Sequence, residues 1–422
     1  MRPWIAVVLI GLLTRSIAGI IQILYGIHGL TMPGLQVLDD YYAYYITQLH
    51  YLAGGYMLYR DIGYLYMPGF LYSLLPLYLL LGTHGPAIVM VITDALSAGL
   101  VYQIVKTQTT GTPSSGTISL AAGLVYALFP LAIVSEGYLW LSTEPMLCLM
   151  LLSVYLAQTK KVGWSLVVLA IAIGMKQEAV FILPGLLFMT RSDVKQALKG
   201  LVAGMGVLLG MALPFLVTAP TSFITSVTDG KIVFSSYPVS HLNSTGAWNI
   251  YNLTTSASAF SQCHQVDYWF YNGAVCGSVS LGQLLLNRIY LMTVPWFIAV
   301  YPLILLVSLG AAVFMGVRGM TAAYPQAIMG MLFLGILTFI VNQSWGYAVV
   351  PVYALLLTTV TTKRSMAVGG IIIGIEVFIP VYPIQLIILP IGFALMLFLD
   401  RRQSKNINTT TSISSHDSDH GL

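Results

Sequence analysis

Residues 68–82 read PGFLYSLLPLYLLLG, and whether this run crosses a bilayer decides the topology of everything after it. Cytoplasmic loops are enriched in Lys and Arg, so the basic residues of the chain test the two choices. If the run crosses, Lys106, the pair Lys160 and Lys161, and the cluster Arg191, Lys195 and Lys199 all fall outside, against that rule. If it lies at the interface or dips in and returns, all of these fall inside, together with Arg2, Arg318, Lys363, Arg364, Arg401 and Arg402. The second arrangement is therefore expected. Crossings then run near 4–30, 86–105, 117–134, 145–158, 163–175, 178–190, 200–218, 289–316, 321–341, 346–361, 366–380 and 384–399, with both termini cytoplasmic. The expected fold is an all-α polytopic membrane protein of about twelve transmembrane helices, with a large first external loop carrying amphipathic, interfacial helices.

Composition points the same way. Of 422 residues, 57% are hydrophobic and only 8% are charged, and the mean hydropathy is +0.84. That is too little polar surface for a water-soluble globule of this size. Apolar runs such as PAIVMVITDALSAGLVYQIV supply the roughly 20 helical residues that a hydrocarbon core requires. The net charge of +4 sits as isolated residues or pairs at the ends of apolar runs, which orients helices and gives no nucleic-acid surface. The opening segment resembles a signal peptide, but no small-residue cleavage site follows, so a retained first helix is expected. The chain divides into an N-terminal transmembrane module over 1–218 with its first external loop at 31–85, an external loop at 219–288, C-terminal transmembrane helices over 289–400, and a disordered cytoplasmic tail at 401–422. Cys148 falls in an apolar run, whereas Cys263 and Cys276 share the external loop, where an oxidising exterior would allow a disulfide.

Ionisable residues are rare enough here to be informative one by one. The stretch from Leu38 to Gly69 holds three aspartates and nine tyrosines. Asp39 and Asp40 precede a Tyr-rich segment in which Tyr41, Tyr44, Tyr45, Gln48, Tyr51 and Leu52 fall near one helical face, as in a helix lying flat at headgroup depth. Helix capping accounts for one aspartate but not for two. A general base for an acceptor hydroxyl, or a ligand for a divalent cation, would need a carboxylate at this depth. Glu144, in WLSTEPML, either starts a helix with Thr143 as cap and Pro145 in the first turn, or adds a second carboxylate to the same membrane face. Lys176 and Glu178 interrupt an apolar stretch, where charges face a cavity or a partner. Residues two apart do not face each other on a helix, so they do not pair readily. A lysine facing the external cavity suits an anionic phosphate. Arg15 and Asp94 could pair structurally. No phosphate loop, H-E-x-x-H motif or G-x-S-x-G elbow occurs, so an enzyme built on this chain would draw its activated donor from the membrane.

These residues resemble a known family. The acidic start, the Tyr-rich helix, and then AGGYMLYRDIGYLYMPGFLY with its G-x-x-x-Y-x-D pattern through Tyr59 and Asp61 are similar to the first external loop of the GT-C membrane glycosyltransferases. LLTRSI, WLSTEPML and GMKQEAVFILPGLL match further segments of that family. A late His-Glu-Arg-Tyr-like motif of relatives is replaced here by NQSWGYAVVP, in which Tyr347 and Pro351 correspond but the charged residues are missing. The resemblance implies an inverting hexosyltransferase that takes a mannose- or glucose-like sugar from a dolichyl- or polyprenyl-phosphate donor to a lipid-linked glycan or protein acceptor. Its active site would face the exterior or lumen of a plasma or endoplasmic-reticulum-like membrane. Asp40, with Asp39 beside it, would be the base and Glu144 a further acid. Lys176, Glu178, Tyr44, Tyr59, Asp61, Tyr66 and Tyr347 would line the substrate site. The alternatives are a secondary transporter using Asp94, Lys176 and Glu178, or a noncatalytic component of glycan assembly.

Overall fold

A computed structural model describes residues 2–25, 41, 45–64, 66–138, 140, 143–228, 263–268, 271–276, 303–318, 323–339, 350–378 and 387–400. Asp39, Asp40, Tyr44 and Tyr347 lie outside the described residues, as do the tail and most of the 219–288 loop. Apart from one two-stranded ribbon, the described residues form the helices of an α-helical membrane protein. Its N-terminal helices are α1 (Pro3–Tyr25), α2 (Thr47–Ala53), α3 (Gly69–Leu81), α4 (Gly85–Thr109), α5 (Ser115–Ala127), α6 (Thr143–Gln158), α7 (Val162–Met175), α8 (Leu183–Met189), α9 (Val194–Thr218) and α10 (Pro220–Thr228). The later ones are α11 (Leu303–Val317), α12 (Tyr324–Phe339), α13 (Val350–Thr358), α14 (Lys363–Phe378) and α15 (Ile387–Asp400). Among the described residues, Pro3–Leu24, the α3–α4 region Gly69–Thr109, and Val194–Thr218 are long and apolar enough to cross a membrane.

Helix α1 shows how such a sequence packs. Leu9, Leu13, Ile17, Ile20 and Leu24 are exposed, whereas Val7, Arg15, Ala18 and Gln22 are buried at spacings of three to eight residues along one stripe. The apolar side faces outward, as lipid requires, and small residues let the helix backbones meet. A Cβ on Gly11 would lie 3.3 Å from the Ala95 Cα, and one on Gly99 would lie 2.5 Å from Val8. Helix α4 packs against α1, α5 and α6, α7 bridges α6 and α9, and α13, whose residues are all buried, fits against α4 and α5. These helices share one aliphatic core. A second, aromatic layer is built from residues 41–74 with Trp140, Phe215 and Phe223.

The deciding run forms α3, which has 13 residues. At 1.5 Å per residue it is about 20 Å long, short of a hydrocarbon core of about 30 Å. Gly82 ends it at a φ of 65°, a left-handed value that suits glycine. The chain then turns so tightly that a Cβ on Gly85 would stand 2.2 Å from the Leu77 carbonyl oxygen.

Three features differ from the sequence expectations. The Tyr-rich segment becomes a regular helix only at Thr47, and Tyr41, Tyr45 and Leu52 are buried against protein instead of facing headgroups. The reason is aromatic packing: Tyr41 meets Trp140 and Tyr45 meets Phe70, with ring centroids 4.9 and 5.3 Å apart. The expected crossing at 178–190 is divided into a 3-10 turn, Gln177–Ile182, and the seven-residue α8. The 219–288 segment, expected as an external loop of an all-α chain, contains an antiparallel ribbon of β1 (Cys263–Tyr268) and β2 (Tyr271–Cys276). Its register sets Cys263 opposite Cys276. Opposed Cα atoms in such a ribbon are about 4.5–5.5 Å apart, a separation a disulfide can span.

Candidate active site

The first loop is tied to the membrane helices by tyrosines. Tyr41, which follows Asp40 in the chain, donates its hydroxyl proton to the Thr83 carbonyl at 2.5 Å and accepts the Ala87 N–H at 3.0 Å. Ala87 lies in the first turn of α4, where amide hydrogens have no helical partner, so Tyr41 caps that helix. Tyr41 is thereby anchored at the head of α4, beside Trp140.

Further along, the G-x-x-x-Y-x-D pattern closes into a compact turn. Asp61 Oδ2 accepts the Met57 N–H at 2.9 Å, and the Asp61 N–H donates to the Met57 carbonyl at 2.9 Å. Arg60 grips the same carboxylate through Nε at 3.0 Å and Nη2 at 2.7 Å. These hydrogen bonds, that from Arg60 foremost, hold the exposed Asp61 carboxyl below the ordinary carboxylate range. The turn keeps Tyr59 at a φ of 66°, a conformation rare for a non-glycine residue. Its ring is wedged between Phe215 of α9 and Phe223 of α10, at 5.1 and 4.9 Å. Its hydroxyl donates to the Tyr66 carbonyl.

Tyr66 in turn meets Lys176. The Lys176 Nζ lies 5.3 Å from the centre of the Tyr66 ring, within cation–π range. Lys176 occupies the break after α7, with extended backbone at φ −149° and ψ 119°. The approach depends on two glycines: a Cβ on Gly69, at the start of α3, would lie 2.5 Å from the Gly174 carbonyl oxygen. Lys176 is only 4% exposed. Among the described residues it has no ion-pair partner. Glu178 is buried in the next turn. Tyr59, Tyr66 and the distant Lys176 thus form one connected chain of contacts, with Asp61 bracing the turn that carries Tyr59.

Glu144 belongs to a different cluster. It is fully buried in the first turn of α6, and the Tyr126 hydroxyl lies 3.4 Å from both of its oxygens. The same hydroxyl donates to Asp94 Oδ1 at 2.9 Å, and Arg15 pairs with Asp94 Oδ2 at 2.5 Å. Arg15 also donates to the carbonyls of Tyr126 and Ala127, at the C-terminal end of α5, where carbonyls lack helical partners and a cation is favoured. The pairing of Arg15 with Asp94 is as the sequence suggested. The Thr143 cap is not: its buried hydroxyl makes no hydrogen bond among the described residues. Sequence reasoning missed Tyr126 and Trp140, which no spacing marks, and assigned Tyr41 to a headgroup-facing surface instead of to the head of α4. Among the described residues no three His, Cys, Asp or Glu side chains gather as a metal site would need.

Residues 142–236 match the family model of the ALG3 protein, a dolichyl-phosphate-mannose-dependent mannosyltransferase of the GT-C type. The chain resembles GT-C glycosyltransferases. The matched span holds Glu144, Lys176 and Glu178, and α6 through α10; the first loop with Asp39 and Asp40 precedes it. No curated protein matches the chain.

Proposed function

We propose that this protein is a GT-C-type glycosyltransferase that moves a hexose, mannose in the first instance, from a dolichyl- or polyprenyl-phosphate donor to a lipid-linked glycan. A protein acceptor is the second option. In this reading about twelve helices cross an endoplasmic-reticulum-type membrane, α3 lies at its surface without crossing, and the reaction occurs on the luminal or external side. The observation that carries the proposal is Lys176: a nearly buried ammonium, facing an aromatic ring and no carboxylate among the described residues, within the span that matches the ALG3 protein. A charge so placed is costly unless an anion joins it, and a lipid phosphate would supply one.

In this reading the chemistry is a single inverting transfer. Asp40, or Asp39 beside it, takes the proton of the acceptor hydroxyl as that oxygen attacks the anomeric carbon from the face opposite the phosphate. The bond from the sugar to the phosphate oxygen breaks, the electron pair leaves with the polyprenyl phosphate, and the new glycosidic bond has inverted configuration. Lys176 stabilises the departing negative charge, Tyr66 holds Lys176, Tyr59 holds Tyr66, and Asp61 braces the turn that carries Tyr59. Tyr44 and Tyr347 complete the substrate lining, Glu178 sets the field next to Lys176, and Glu144 steadies the head of α6. The direct test is to incubate purified protein with dolichyl-phosphate mannose and a lipid-linked oligosaccharide. Release of dolichyl phosphate with mannosylated product is expected. An intact donor after prolonged incubation with every lipid-linked and peptide acceptor tried would overturn the reading.

A further inference from the structure

At the end of α7 opposite Lys176, a cavity of about 490 Å³ opens between α7 and α9. Helix α7 has 14 residues, which separates the two ends by about 21 Å, so this cavity is distinct from the proposed active site. Its rim carries Lys160, Lys161 and Lys199 against a single carboxylate, Asp193. Asp193 is already engaged, since its Oδ1 accepts the Gln196 N–H at 3.2 Å as the cap of α9. The rim is therefore net positive, and the first amides of α7, which begins at Val162, add to it.

Below the rim the lining changes character. Val167 and Ala203 make an apolar floor, and Trp164, 68% exposed, stands at its edge as indoles do at the headgroup boundary. The back is closed because Gly200 packs on Gly163, where an added Cβ would lie 2.8 Å from the carbonyl oxygen. A soluble anion would use the lysines but has no need of an apolar floor running along two membrane helices. We infer that this cavity binds an anionic phospholipid, with the headgroup phosphate among Lys160, Lys161 and Lys199 and an acyl chain over Val167 and Ala203. Basic pockets between transmembrane helices are suited to such headgroups.

The test uses the full chain in phosphatidylcholine nanodiscs doped with a photo-crosslinkable phosphatidic acid. Crosslinks should concentrate on residues 160–167 and 196–203. Replacing Lys160, Lys161 and Lys199 by Gln should weaken the labelling by about fivefold for each lysine removed. Lys195→Gln, which removes the same charge from the same end of α9 outside the cavity, should leave labelling unchanged. Ala203→Phe, which keeps every charge and fills the floor, should reduce it. Equal loss with Lys195→Gln would reduce the effect to diffuse surface electrostatics and overturn the proposal. Displacement of the label by inorganic phosphate, or indifference to Ala203→Phe, would overturn the lipid assignment. Sugar transfer is not read in this experiment, so its outcome is independent of the proposed function.

Discussion

Arg15 and Lys176 are both buried cations in helical surroundings, yet their environments have little in common. Arg15 is surrounded by the Asp94 carboxylate, two helix-end carbonyls and the Thr14 hydroxyl. Lys176 has a tyrosine ring, and it stands at a break between helices. The first charge is spent on holding α1, α4 and α5 together in the aliphatic core. The second, at the edge of the aromatic layer, makes no ion pair among the described residues, which is where the proposed donor phosphate would join it. In a membrane protein a rare charge is informative through the groups around it, and burial alone does not separate structure from function.

The contrast can be broken at several points. The largest effect should come from the proposed bases: Asp40→Asn should lower donor-saturated transfer by about 10²–10⁴-fold, and Asp39→Asn by less. Wild-type rates in both variants would remove the first loop from catalysis. Arg15→Met comes next and should act on folding, because it leaves Asp94 buried without its partner at a cost of about 3–5 kcal/mol. Thermal unfolding in detergent would register that loss, and the double variant Arg15→Met, Asp94→Leu should recover part of it. If Arg15→Met were as stable as the parent protein, the distinction between the two cations would fail. Lys176→Met should show the reverse pattern, with stability retained and the donor KM raised roughly tenfold, as expected when a hydrogen bond to a charged group is lost.

The smallest effect concerns pH. Asp61 has a carboxyl held below its ordinary range by Arg60 and the Met57 N–H. A depressed folded-state value means that its contribution is present above the unfolded value of about 3.9 and is lost as pH falls through the lower folded value. Proteolytic nicking of the 57–62 turn should therefore increase only in that acidic window, and Asp61→Asn should abolish the pH dependence.

Much of the helical scaffold was legible in the residues themselves. Apolar runs set α4, α6, α7 and α9 close to where they lie, since their interiors offer no alternative to intrahelical hydrogen bonding in lipid. The break at Lys176 was legible for the same reason, a charge in an apolar run. The Tyr59, Asp61 and Tyr66 pattern could be singled out, but its wiring could not, because the contacts join residues through a left-handed backbone position and through carbonyl groups that every residue possesses. Glu144 illustrates the reverse case. Its position at the head of a helix was readable, whereas its neighbours Tyr126, Asp94 and Arg15 come from three other helices.

The sequence by itself determined that the chain is a helical membrane protein and which few ionisable residues could matter, because hydropathy and the cost of burying charge act locally. Only the tertiary structure decided which of those residues meet. It did so where side chains are absent: Gly69 against Gly174 brings Tyr66 to Lys176, and Gly11 with Gly99 brings α1 close to α4 and Arg15 to Asp94. Close approach of two backbones depends on what both partners lack at the crossing point, and neither helix carries that information alone.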